Sequence, residues 1–183
     1  HDNMRLAATS PRYAAMRCAL CALLSENGAF GFANGVEFLA SEKIDVHGAG
    51  SLNEEAGEGL TPLLAKLNGL LAAHPAFGPG AVVQNVTCGG GNGVAFLRQG
   101  ETGTPPVLVL VNLDCDRSLR LHWKGEVFPA NGSAEDLISG QKIPVRQDGE
   151  GLGADLEPGG FFCLSTEPFI LPDLPEPERV TAC

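Results

Sequence analysis

The period of the apolar residues changes once along this chain, at Gly78-Pro79-Gly80, and that change divides what the sequence can build. Before it, Tyr13, Met16, Leu20, Leu23 and Leu24 recur at three- and four-residue spacing, as do Leu60, Leu63, Leu64, Leu67, Leu70 and Leu71. Each set is the stripe of an amphipathic helix. After it come short runs separated by turn residues: Ala81 to Thr87, Val94 to Gln99, Val107 to Leu113, Leu119 to Trp123 and Gly160 to Ser165. That spacing predicts an antiparallel β module.

The first helix starts at Ser10-Pro11, where Ser accepts a bond from an orphan N–H and Pro loses nothing at the first helical position. Asn27-Gly28 ends it. Ala29-Phe30-Gly31-Phe32-Ala33 is apolar and bounded by Gly, as expected of a strand buried on both faces. A polar, acidic loop follows over residues 41–59, and Thr61-Pro62 repeats the Ser-Pro start for the second helix. Helix, strand and helix in alternation is the order of parallel α/β structure, which places functional residues at strand carboxyl ends. Cys88 to Gly93 predicts a hairpin turn, and from Glu167 to Cys183 proline interrupts any period, which predicts an extended linker or tail.

Charge narrows the partners: 22 acidic against 12 basic residues leave a formal net charge of -10, which disfavours nucleic acid and anionic membranes. No apolar stretch approaches the roughly 20 residues of a membrane span. Six scattered Cys in a chain large enough to hold its own core predict reduced thiols and a cytoplasmic location. Cys18-Ala-Leu-Cys21 falls mid-helix without a second pair, which favours packing over zinc or redox chemistry. Glu54, Glu55 and Glu58 fit no calcium-loop spacing and read as a solvated face, so no metal and no cofactor is expected. His47 is a loop residue, His74 a helix end and His122 the polar face of a strand.

Three motifs carry a resemblance. His1-Asp2-Asn3-Met4-Arg5-Leu6 resembles the seventh-strand motif of the α-amylase superfamily (glycoside hydrolase family 13), in which a His-Asp pair ends a barrel strand. Gly28 to Glu37 is similar to that family's eighth-strand motif, with Phe30 standing where Pro is usual. Gly93 to Arg98, Val107 to Leu113 and Asp136-Leu-Ile-Ser-Gly140 are similar to its carboxy-terminal domain.

The resemblance implies an α/β plus all-β chain: residues 1–78 as the last part of a (β/α)8 barrel, 79–166 as a β-sandwich and 167–183 as a linker or tail. It implies a carboxy-terminal piece of an enzyme acting on α-1,4-glucans such as glycogen or maltodextrin, of maltosyltransferase or debranching type. Asp2 would stabilise the transition state and His1 would donate to the same sugar. Arg5, Asn34 and Glu37 would line the substrate site, with Glu37 equally readable as a structural carboxylate accepting backbone N–H bonds. Nucleophile and general acid would precede residue 1. The alternative is a non-catalytic module whose β half binds carbohydrate or packs on a partner; its single Trp, Trp123, and lack of Tyr argue against strong sugar stacking.

Overall fold

A computed structural model describes residues 4–43, 53, 57–89, 91–149 and 151–171. A one-turn helix α1 (Leu6–Thr9) leads into α2 (Pro11–Leu23), and α3 spans Thr61–Ala73. Nine strands follow: β1 (Val82–Asn85), β2 (Gly93–Gln99), β3 (Val107–Asn112), β4 (Leu119–Lys124), β5 (Ser133–Asp136), β6 (Lys142–Pro144), β7 (Arg146–Asp148), β8 (Gly151–Leu156) and β9 (Phe161–Ser165). They form a six-stranded sheet in the order β1-β2-β3-β9-β5-β6 and a three-stranded sheet in the order β4-β8-β7.

The three layers explain the apolar run in β3. Every residue from Val107 to Asn112 is buried. Val107, Val109 and Val111 face the helices beside Met16, Ala19, Leu23, Leu67 and Leu70, while Leu108 and Leu110 face the second sheet and its Leu121 and Trp123. A strand alternates its side chains between faces, so only a strand covered on both sides is apolar throughout. In β4, covered on one side, Leu121 and Trp123 point inward while Arg120, His122 and Lys124 alternate with them.

Local signals at the helix ends are partly confirmed. Ser10 Oγ accepts the Tyr13 N–H at 3.0 Å, and α2 gives way to a turn with Asn27 at φ 52°. Thr61, by contrast, is the first helical residue of α3 rather than its cap; Leu60 takes the cap position without a side-chain bond. Of the expected tail, Phe169 and Leu171 pack against the helix-side core, and the Phe169 ring lies 4.5 Å from that of His74.

The predicted barrel strand is a correction. Residues 29–33 form no strand, and Gly31, Phe32 and Ala33 are exposed. A segment becomes a strand of a parallel sheet only where a neighbouring strand supplies its ladder bonds, and is buried on both faces only where layers cover both. Every strand pairing among the described residues is antiparallel, so they show no parallel strand of a (β/α)8 barrel.

Two buried polar side chains fasten the layers. Arg98 on β2, wholly buried, donates from Nε to the Ala76 carbonyl at 3.0 Å and from Nη1 to the Leu23 carbonyl at 2.9 Å, tying the end of α2 and the Pro75–Phe77 turn after α3 to the sheet. Its guanidinium carbon sits 4.4 Å from the Phe77 ring centre. Asp136 at the end of β5 accepts the Cys163 N–H at 2.9 Å and the Ser139 N–H and hydroxyl at 3.0 and 2.6 Å, which latches the Asp136–Gly140 turn onto β9.

Candidate functional site

The segment after α2 folds back on itself through glycines. Ala40 N–H bonds to the Gly35 carbonyl at 2.9 Å, and Gly35 lies at φ 91°, a left-handed conformation that favours glycine. A Cβ on Gly35 would also sit 2.6 Å from Arg5 Nη1, so the guanidinium passes directly over this residue. Arg5, just ahead of α1, donates from Nη1 to the Asn34 main-chain oxygen at 2.7 Å. Glu37 Oε2 accepts the Gly35 N–H at 2.8 Å, which commits one of its oxygens to the turn.

The fold therefore brings Arg5, Asn34 and Glu37 into one loop, although 29 residues separate Arg5 from Asn34. The bonds involved are to backbone: Arg5 and Glu37 hold the loop's shape, and Asn34 is engaged through its carbonyl. His1 and Asp2 lie outside the described residues, as do His47, Glu54, Glu55 and Cys183.

A cavity of about 270 Å³ adjoins the loop, lined by Met4, Arg5, Arg17, Cys21, Phe30 and Phe32 among others. The Phe30 and Phe32 rings are 5.7 Å apart and tilted by 44°. Cys18, another lining residue, is buried among Ala14, Val36 and Leu64, and burial, with Cys21 nearby, pushes its thiol up to about 11. It serves packing. Sequence reasoning did not single out Arg17; the available signal was its place next to Cys18 and one turn before Cys21, on a helix face outside the predicted stripe.

A second cavity, about 510 Å³, lies against the smaller sheet and is lined by Cys88, His122, Lys124, Glu126 and Asp148 among others. His122 Nδ1 is 3.5 Å from Asp148 Oδ2. Trp123 also borders it but is wholly buried, its Nε1 donating to the Phe128 carbonyl at 2.9 Å, so the indole presents no open face for a sugar to stack on. Among the described residues no group of His, Cys, Asp or Glu is arranged to hold a metal ion, and no helix is long and apolar enough to cross a membrane.

No family model and no curated protein matches this chain. Solved structures do. AmyP, in a complex with maltose, superposes with a TM-score of 0.62 at 16% identity, covering 86% of this chain and 35% of AmyP. An α-amylase from Anoxybacillus gives 0.63 at 15% identity, covering 93% of this chain and 37% of the enzyme. The maltogenic α-amylase AmyB from Thermotoga neapolitana gives 0.64 at 14% identity, covering 93% and 40%. This chain thus spans little more than a third of the length of these enzymes. Its antiparallel sheets match the carboxy-terminal β-domain of α-amylases, and its fold is of that type.

Proposed function

We propose that this chain is the carboxy-terminal part of a glycoside hydrolase or transglycosidase that acts on α-1,4-glucans with retention of configuration. In this reading residues 1–78 close a (β/α)8 barrel begun by preceding sequence, residues 79–166 form the sandwich behind it, and residues 167–183 are a linker. The observation that carries it is the superposition on α-amylases, which extends over 86–93% of the chain and so takes in the helices as well as the sandwich. The His1-Asp2 pair and the Gly28–Glu37 stretch stand in the order such an enzyme requires.

The chemistry follows from the charge that develops at the sugar. Retaining cleavage uses a nucleophilic carboxylate and a carboxylic acid about 5 Å apart, passing through a flattened, oxocarbenium-like ring. Both groups would come from sequence outside this chain. Asp2 would bind the sugar hydroxyls, strengthening its bonds as the ring flattens, and His1 would donate to the same sugar. Interactions that tighten only at the transition state raise turnover rather than ground-state affinity. Arg5 and Glu37, by folding the loop over Gly35, would set the shape of the adjoining wall.

The substrate would be glycogen or maltodextrin, consistent with maltose bound to AmyP and maltotriose bound to its E221Q variant, and the acceptor either water or a second glucan, as in maltosyltransferase and debranching-type enzymes. A cytoplasmic location and the absence of a cofactor belong to the same reading. The alternative, a carbohydrate-binding module acting through its β half, is disfavoured by the burial of Trp123. The test is to express the longer open reading frame containing this sequence and follow maltodextrin turnover by NMR. Release of the α-anomer first is the expected result; release of the β-anomer, or upstream sequence without an Asp and a Glu at two strand ends, overturns it.

A further inference from the structure

The charged residues described around the cavity beside Arg5 are of opposite sign to the protein's net charge. The chain carries 22 acidic and 12 basic residues, yet among the described residues those lining this cavity include Arg5 and Arg17 and no Asp or Glu. Nη1 of Arg5 is satisfied by the Asn34 carbonyl, and its Nε, closed off from solvent, has no hydrogen-bond partner among the described residues. Arg17 makes no hydrogen bond or ion pair among the described residues. Guanidinium groups bind oxyanions through charge-assisted, often paired, N–H bonds. The rest of the described lining is largely apolar, with the Phe30 and Phe32 rings, the largely exposed Met4, Cys18 and Val36. At about 270 Å³ the space is near the lower end of small-molecule sites.

We propose that this cavity binds a small organic oxyanion, its charged group held by Arg5 and Arg17 and its apolar body lodged against Phe30 and Phe32. The inference goes beyond the glucan reading, in which Arg5 only shapes an adjoining wall, because an unmodified glucan carries no charge. A carboxylate and a phosphate monoester present the same chemistry to the fork, and a pair of probes separates them.

The longer protein carrying this sequence is titrated with benzoate, phenyl phosphate and, as an uncharged counterpart, benzyl alcohol, with binding read by calorimetry and by shifts of the Arg17 and Phe32 amide resonances. Saturable binding of one of the anions is expected, at least tenfold tighter than that of benzyl alcohol, and the tighter anion identifies the class of ligand. Arg17→Met removes no bond among the described residues and leaves the fold intact; it should weaken the anion at least tenfold, and Arg5→Lys, which keeps the charge but loses the fork, severalfold. Binding of neither anion, or binding undiminished in Arg17→Met, overturns the proposal. Glucan turnover is a separate measurement, so either idea can fail alone.

Discussion

Replacing Arg98 by Met tests whether a buried cation joins the helices to the sandwich. The side chain is wholly buried, and burial lowers its pKa, so the fold bears a desolvation cost to keep a charge there. Met fills a similar stem volume but cannot donate to the Leu23 or Ala76 carbonyls, which are 2.9 and 3.0 Å from the guanidinium. Stranding each buried carbonyl costs about 1–3 kcal/mol. The stacking on Phe77 adds about 1–2 kcal/mol where the pair is desolvated. Against these, an apolar replacement of a buried charge recovers about 1–4 kcal/mol, and Nη2 has no partner among the described residues to lose. The balance is a net destabilisation of about 2–4 kcal/mol, which at ordinary urea slopes lowers the unfolding midpoint by about 1–2 M. Arg98→Lys should recover little of it, because one ammonium on a flexible stem does not reproduce the fork. An Arg98→Met midpoint equal to or above that of the parent would refute the reasoning, showing that the desolvation cost outweighs the bonds.

Two further expectations concern titration and thiol chemistry. Burial lowers the pKa of His74, whose Nδ1 accepts the Ala76 N–H at 3.2 Å and is available for that only while the ring nitrogen is unprotonated. The unfolded chain therefore binds the extra proton first, so His74 adds stability above its ordinary pKa of about 6.5 that is lost as the pH falls below it. Urea midpoints of parent and His74→Gln should converge between about pH 7 and 5, and parallel curves would contradict this. Iodoacetamide at mildly alkaline pH should label exposed Cys21 well before Cys18 and Cys163, whose thiols burial pushes upward, as peptide mapping will show; early loss of the Cys163 thiol would contradict its burial.

The sequence made the helices and the longer strands legible because their periods reflect which side is covered, as with Leu121 and Trp123 on β4 or the stripe of α3. It did not reveal β5 to β8, and the reason is local. β6 and β7 are three residues each, too short for a period to show. β8 carries Gly151 and Gly153 where its neighbours demand it: a Cβ on Gly151 would meet the Trp123 carbonyl at 2.7 Å, and one on Gly153 the His122 ring at 3.0 Å. Residues 29–33 failed in the opposite sense. Their composition suits a buried strand, but a strand needs a neighbour to supply its ladder bonds, and among the described residues none pairs with them. For the site, the grouping of Arg5, Asn34 and Glu37 was legible through the motif resemblance, whereas the bonds from Arg5 and Glu37 to backbone groups depend on loop geometry that no spacing encodes.

The most direct test is the steady-state kinetics of Asp2→Asn in the longer protein carrying this sequence. A carboxylate whose bonds to the sugar strengthen at the flattened ring contributes several kcal/mol, so kcat should fall about 100- to 1,000-fold. KM should change by less than about threefold, because the lost interaction is one made only at the transition state. An unchanged kcat, or a loss confined to KM, would contradict the account.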